Sequence, residues 1–409
     1  MLFPPDYSIP PGVDDGHSWL PRAVFALSLL VFAVAQAEIW NSNLRISGDE
    51  AHVLMTVFSM VKDGDLNLTN NYERKDYLET GYPLLESQVP AVNNVIPPEK
   101  GIGFPALLAP FYAIGNVLGD RIAIVAFAAL VLPLLYWLCA SAGLSRLSAG
   151  LACLGLSVCL PWEVHANLIL PEVVAAAIVM SIAAAFFQYE KTQRRGYALC
   201  IGLLTVSLPI LYLKYTALAA ASGVLLARSS RLRRDWLVYV GAPLLWLYAD
   251  LWVDVYGWSI AIGTGGGPHD FSAGAVFENI GNSFLDRDHG LLTRAPIALL
   301  AVLGLFAGPT PGRKIREYLA TAAVAYALLY GLTTLKPGGS APGRYLVASM
   351  PAYLALAAFG LLRDGPRYRT RATVYGVFVA LSLLFLVVAI QRDDFGLPDW
   401  YVQLFPKRY

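Results

Sequence analysis

Cysteine is scarce: the four thiols, Cys139, Cys153, Cys159 and Cys200, all fall inside apolar stretches, where a thiol is a small hydrophobe and not half of a surface disulfide. Charge is scarce as well. Only 14% of the residues are Asp, Glu, Lys or Arg, and the net charge of +1 gives no hint of a nucleic-acid partner. Internal repeats, low-complexity tracts and a separate soluble domain are all missing from the 409 residues. What fills the chain is apolar: 56% of it is hydrophobic and the mean hydropathy is +0.54, far beyond what a soluble domain with a polar surface requires. The sequence therefore reads as an all-α polytopic membrane protein.

Apolar runs long enough to span, or nearly so, centre on residues 21–40, 121–141, 147–162, 168–188, 197–212, 213–227, 236–256, 293–308, 318–334, 344–362 and 373–391, which makes about 11 transmembrane helices. Residues 1–20 carry Pro and Asp, and no small-residue cleavage signal follows the first apolar run, so 21–40 is expected to be a retained span. The short basic connections are Arg146, Lys191 with Arg194 and Arg195, the 228–234 arginines, Arg313 with Lys314 and Arg316, and the 363–371 arginines. The positive-inside rule puts all five in the cytoplasm. An odd number of spans with a cytoplasmic N-terminus satisfies every one. Residues 103–118 would break this parity by crossing; rich in Gly and Pro, they read as an interfacial or re-entrant helix on the outer surface. The whole chain, 1–409, is then one membrane domain with a first outer loop at 41–120 and a second long outer loop at 257–292.

Sorting the acids by side locates the chemistry. With this topology only Asp6, Asp14, Asp15, Glu190, Asp235, Glu317 and Asp364 of the 29 acids face the cytoplasm, and His52, His165, His269 and His289 all lie outside. The outer face is where a site is expected.

Just beyond the first span stands Ser47-Gly48-Asp49-Glu50-Ala51-His52. The pattern fits a capping box, with Ser47 as N-cap and Glu50 reaching back, and predicts a helix to about Lys62, ended by Asp63-Gly64-Asp65. Val53, Leu54, Val57, Phe58 and Val61 form one stripe of that helix, while Asp49, His52, Thr56, Ser59 and Asp63 follow each other on another. Asp49 and Glu50 point about 100° apart. Glu50 is as well explained by capping as by chemistry. Asp49 shares a polar face with His52 beside a bilayer, which helix-dipole stabilisation alone does not explain.

The run Ile46 to Leu54, with Asp63-Gly64-Asp65-Leu66 and Asn70-Asn71-Tyr72 after it, resembles the first outer loop of GT-C superfamily glycosyltransferases, in particular bacterial relatives of protein O-mannosyltransferases and lipid A aminoarabinose transferases. Pro342-Gly343-Arg344-Tyr345-Leu346 through Met350-Pro351 resembles a segment near the outer membrane face of the same relatives. The matched motifs cover about a tenth of the chain. The resemblance implies a GT-C fold with a large first outer loop carrying amphipathic helices, in a bacterial cytoplasmic membrane, with the site facing outward. It also implies a polyprenyl-phosphate-linked sugar donor and an acid of the first outer loop, here Asp49, as general base. A positioned carboxylate suits that reaction, because an acceptor hydroxyl is a poor nucleophile until its proton is taken. The leaving lipid phosphate needs cationic donors where charge develops.

Candidates for those donors are Arg121 at the outer start of the second span, Lys214 at the tip of a tight hairpin between two apolar spans, and Lys336 and Arg344 flanking a Pro-Gly-Gly loop. A charge at such a tip is costly unless it meets water or an anion; for Arg121 an interfacial anchoring role is the plain alternative. For the sugar or acceptor the candidates are His52, Glu163, His165, Glu172 and Tyr345, with spacing unable to choose between Glu163 and Glu172. The plain alternative there is an outer turn with Trp162 as interface anchor.

The glycine run at 263–267 lacks the phosphate-loop spacing and following lysine, so no nucleotide is expected. Asp286, Asp288 and His289 are hard or borderline metal ligands, which leaves a divalent cation as an option, but ion pairing with Arg287 accounts for them and no cofactor or metal is expected. Asn67-Leu68-Thr69 matches a glycosylation sequon of a kind frequent by chance. The reading is a sugar transferase whose partners are a polyprenyl-phosphate sugar, membrane lipid, and a lipid, polysaccharide or protein acceptor. The alternative is a lipid or sugar-lipid transporter or flippase. Transporters place ionisable residues near the bilayer midplane and often show inverted repeats, whereas here the charges sit at span ends and no repeat is visible. A noncatalytic subunit of a membrane assembly would tolerate replacement of Asp49.

Overall fold

The computed structural model describes residues 19–41, 48–80, 82, 84–87, 89, 91, 94–98, 101–235, 273–287, 290–306, 312–331, 344–363 and 365–391. Helices account for every regular element among them: α1 (Leu20–Asn41), α2 (Gly48–Phe58), α3 (Thr69–Arg74), α4 (Gly103–Ser141), α5 (Arg146–Ser157), α6 (Leu160–His165), α7 (Glu172–Thr192) and α8 (Arg195–Leu211) form the first half. The second half comprises α9 (Thr216–Ala221), α10 (Gly223–Arg228), α11 (Ser230–Arg234), α12 (Ala273–Leu285), α13 (Leu291–Arg294), α14 (Ala301–Leu305), α15 (Arg313–Gly331), α16 (Met350–Leu361) and α17 (Tyr368–Ile390). Among the described residues α1, α4, α7 and α17 are long and apolar enough to cross a bilayer, and α5, α8, residues 296–305 and residues 346–361 are shorter apolar helices.

Two expected spans look different in the structure. The 213–227 run is broken into the 3₁₀ turn Leu213–Tyr215, α9 and α10, with Tyr212 extended (φ −166°) where α8 stops. The 293–308 run is divided at Ala295-Pro296, since a proline disfavours helical backbone in the residue before it, and continues as a 3₁₀ segment into α14. The 236–256 run lies outside the described residues. The long α4 is two helices joined at a break: Asn116 takes φ 50°, ψ −143°, so 103–115 and 117–141 leave the joint in different directions, separating the Gly/Pro-rich segment from the span behind it.

The cores of these helices pack through small residues. A Cβ on Gly304 of α14 would lie 2.0 Å from the Leu356 carbonyl of α16, and one on Gly360 would lie 2.8 Å from the Gly304 amide, so the two backbones touch where they cross. Gly155 of α5 makes room in the same way for the Tyr375 hydroxyl of α17.

The basic connections gather at one end of this bundle. Lys314 pairs with Glu190, Arg228 with Glu317 at 2.7 Å, and Arg195 with Asp235 at 3.6 Å. Ser148, capped with α5 by Ser145, donates to the Leu362 carbonyl at 2.8 Å, and Gly312 abuts Ala142. The start of α1 joins them, Gly150 packing on Val24 and Pro21. Because α1 and α7 rise about 1.5 Å per residue, their far ends, at Trp40 and Glu172, lie about 30 Å away.

The acidic helix ends as its pattern predicts. After Phe58 it widens into the π-helical turn Ser59–Asp63, and Gly64 closes it at φ 75° with its amide on the Ser59 carbonyl. Its second stripe, however, is not an exposed polar face. His52, Thr56 and Ser59 are buried along with Val53, Leu54 and Val57, because Tyr72, Tyr77, Tyr82 and Leu85 of the following loop cover Ala51 and Met55 on that side. That loop is braced by Asp63, which accepts from Asn70, Asn71 and Arg74, while Asp76 accepts from Asn71 and Arg74. Asn67 holds the Thr69 amide at 3.1 Å with its side-chain oxygen, a local turn contact.

Candidate active site

At the end of the bundle opposite the basic connections, four of the candidate residues meet. Glu172 opens α7, Lys214 stands on the 3₁₀ tip after α8, Arg344 opens the 3₁₀ segment Arg344–Ser349, and Asp49 lies in the first turn of α2. Lys214 Nζ donates to Glu172 Oε1 at 2.8 Å, and Arg344 Nε donates to the same oxygen at 3.2 Å. Arg344 Nη1 then donates to Asp49 Oδ2. Two cations and two carboxylates thus form one chain, with Glu172 at its dry centre and Asp49 at its wetter end: the Glu172 side chain is 0% exposed and that of Asp49 24%.

The electrostatics follow from this burial. Desolvation alone would lower the pKa of the Lys214 ammonium, but the Glu172 carboxylate outweighs it and holds the group well above its ordinary range. Arg344 is pulled down by burial and lifted further by Glu172 and Asp49, so it too stays charged. Aromatic rings complete the surroundings of Lys214, whose Nζ sits 5.1 Å from the Tyr212 ring centre and 5.3 Å from that of Tyr215. Tyr215 stacks at 5.8 Å on Tyr326, which meets Tyr330 edge-on at 5.2 Å.

His165 lies against this group. Its Nδ1–H donates to the Pro161 carbonyl at 2.7 Å, which leaves Nε2 as a buried lone pair with no partner among the described residues. Burial depresses its pKa to about 4, against the opposing pull of Glu172. It is therefore neutral at pH 7.

A second polar cluster adjoins on the α1 side. Gln36 donates to both the carbonyl (3.1 Å) and the carboxyl Oε2 of Glu163, and Asn167 donates to Gln36 Oε1. Arg121 reaches the Asn167 carbonyl at 3.4 Å and covers the Trp40 ring at 6.0 Å. Burial raises the pKa of Glu163 well above the usual carboxylate range, only partly offset by Gln36. Of the two acids that spacing could not separate, Glu172 is the one facing cations, and Glu163 belongs to this neighbouring network. Trp162 is not an interface anchor: it is fully buried, enclosed by the packing of α6.

The remaining candidates spread out. Glu50 is buried and its Oε1 accepts from the Ile169 amide at 2.8 Å. His52 Nδ1 meets the Tyr72 hydroxyl at 3.0 Å, holding α3 on α2. Lys336, the N-cap candidate Ser47, and Asp288 and His289 lie outside the described residues, as does the side chain of Tyr345. Among the described residues no group of three or more His, Cys, Asp or Glu is arranged to hold a metal, and all four cysteines are free. Sequence reasoning passed over Gln36, Asn167, Tyr215, Tyr326 and Tyr330. A glutamine inside an apolar span, and two tyrosines four apart in another, were the available signals. Asp120 was also passed over: it is fully buried in α4, and neither of its oxygens is hydrogen-bonded to a described residue.

No family model and no curated protein matches the chain. Solved structures that share its fold include two of one protein. ArnT from Cupriavidus metallidurans in the apo state superposes with a TM-score of 0.56 at 17% sequence identity, over 93% of this chain and 74% of that one. The same protein bound to undecaprenyl phosphate gives a TM-score of 0.54 at 14% identity, over 92% of this chain and 71% of that one. The chain is all-α among its described residues, as expected, and shares the fold of these ArnT structures.

Proposed function

We propose that this chain is a membrane glycosyltransferase that moves a sugar from a polyprenyl-phosphate donor to an acceptor hydroxyl at the outer face of the cytoplasmic membrane, with inversion at the anomeric carbon. The observation that carries this reading is the shared guanidinium of Arg344, which joins an accessible carboxylate, Asp49, to a buried one, Glu172, that also holds Lys214. Asp49 takes the hydroxyl proton as the acceptor oxygen attacks the anomeric carbon. The bond from that carbon to the phosphate oxygen breaks, and the polyprenyl phosphate leaves with the electron pair. Arg344 and Lys214 supply fixed positive charge to that leaving group, and Glu172 holds the two cations side by side.

The site end of the bundle supports the location: it sits opposite the five basic connections, which the positive-inside rule assigns to the cytoplasm. The fold supports the donor class, since a protein with this fold binds undecaprenyl phosphate. In the reading offered here residues 41–120 form the outer loop that delivers Asp49. Arg121 and Lys336 are further phosphate candidates, and His52, His165 and Tyr345 are candidates for the sugar or acceptor.

The test is release of free polyprenyl phosphate by the purified protein in lipid nanodiscs, from a panel of polyprenyl-phosphate sugars with crude envelope extract as acceptor source. Release with one donor, lost in Asp49→Asn, supports the reading. No release from any donor, together with lipid movement across the bilayer, replaces it with the transporter.

A further inference from the structure

Asp49 and Glu50 are neighbours in sequence with opposite environments. Asp49 keeps a solvent-facing edge, whereas Glu50 is fully buried and one of its oxygens is engaged by the backbone amide of Ile169, 119 residues away. Ile169 belongs to a tight turn, with the Leu168 amide on the His165 carbonyl at 3.3 Å and the Leu170 amide on the Leu168 carbonyl at 2.7 Å. Three residues on from Ile169 is Glu172.

The turn is gripped from several sides. Gln36 of α1 accepts from the Asn167 side chain, Arg121 of α4 donates to the Asn167 carbonyl, and Glu50 of α2 takes the Ile169 amide. Glu50 is thus the link between the turn that ends in Glu172 and the helix that starts with Asp49. Since Arg344 already connects Glu172 to Asp49, the contacts close a ring: Asp49, Arg344, Glu172, the turn, Ile169 and Glu50, completed by the peptide bond between 49 and 50.

We propose that Glu50 is a positioning residue, whose carboxylate locks the Ile169 amide and so fixes the turn carrying Glu172 against the helix carrying Asp49. This rests on the transferase reading above for its kinetic consequence, though not for its structural one. A hydrogen bond to a buried amide is directional and costly to leave unmade, and a misplacement of about 1 Å at a reaction site costs rate. Glu50 does not take part in proton transfer. Its carboxylate is buried and already accepts from the amide.

Replacement separates these roles. In Glu50→Gln the side-chain carbonyl still accepts from the Ile169 amide; in Glu50→Ala nothing does. Transfer kinetics in nanodiscs should give a kcat within about fivefold of wild type for Glu50→Gln and about 10²-fold lower for Glu50→Ala, with donor KM changed less than about threefold in both. Glu50→Gln as inactive as Glu50→Ala would overturn positioning in favour of a proton-transfer role, and full activity in Glu50→Ala would overturn any role in the site. If Glu50→Ala does not accumulate, Glu50→Asp, one methylene shorter, takes its place with the same expected loss of kcat. Hydrogen exchange at the Ile169 amide needs no turnover and separates the two claims. Protection in wild type and Glu50→Gln with fast exchange in Glu50→Ala sustains the lock even if no donor is ever used, and equal exchange in all three removes it.

Discussion

Arg344 Nη1 donates to Asp49 Oδ2 across 295 residues of sequence. The proposed base is therefore engaged by the same guanidinium that is proposed to meet the donor phosphate.

Asp49→Asn keeps the shape of the side chain and removes its ability to take a proton. Polyprenyl phosphate release should fall by at least about 10²-fold, the usual worth of a positioned general base, while the thermal transition in detergent stays close to wild type. Release at the wild-type rate would exclude Asp49 as base.

Lys214→Ala removes a cation at the proposed phosphate site. Losing a charged hydrogen bond of about 1.5–3 kcal/mol should raise donor KM by about 10- to 100-fold, with a smaller effect on kcat. Lys214→Arg should recover part of the affinity, and titration of donor into each nanodisc preparation reads both. Unchanged KM in Lys214→Ala would remove this residue from the donor site.

His165 makes the protein sensitive to acid. Its pKa falls from 6.5 to about 4 on folding, so between these values the unfolded chain binds a proton that the folded one does not. Stability is then lost as pH falls below 6.5, by about 2 kcal/mol at pH 5 if each pH unit counts about 1.4 kcal/mol. Thermal unfolding at pH 7 and pH 5 should show a larger drop for wild type than for His165→Gln. Parallel drops would mean that the imidazole is not the titrating group.

Gly304→Val should fail at the helix crossing. A Cβ there meets the Leu356 carbonyl at 2.0 Å, backbone that cannot swing aside. Overpacking of this kind costs about 1–3 kcal/mol or more, and the yield of monodisperse protein in detergent should fall accordingly. A variant with the wild-type melting temperature would show that α14 and α16 are able to separate.

Much of this architecture is legible in the chain because it is dictated locally. Apolar runs mark α1, α4, α7 and α17, and Gly64 stops the acidic helix where an αL residue was needed. The motif around Asp49 lies where Arg344, Glu172 and Lys214 meet. Long-range pairing was not legible. Spacing treated Glu163 and Glu172 alike, and the difference arises because Lys214 and Arg344 come to one of them while Gln36 comes to the other. The second stripe of α2 misled for the same kind of reason: polar side chains at helical spacing do not disclose that Tyr72 meets His52 and that, with Tyr77, it packs on the adjacent Ala51 and Met55. Glu50 was divided between cap and catalyst, and its buried partner was a backbone amide that leaves no trace in a side-chain pattern.

The spread of the ion chain along the sequence also sets an order of assembly. The ribosome delivers Asp49 first; Glu172 then waits only 42 residues for Lys214 but 172 for Arg344. Chains fold from the N-terminus during synthesis, so a nascent protein holds its buried acid with one counter-charge through much of its translation. A chain that stops before residue 344 packs its early helices without the cation that joins its two carboxylates, and is incomplete at the point where the reaction is proposed to occur.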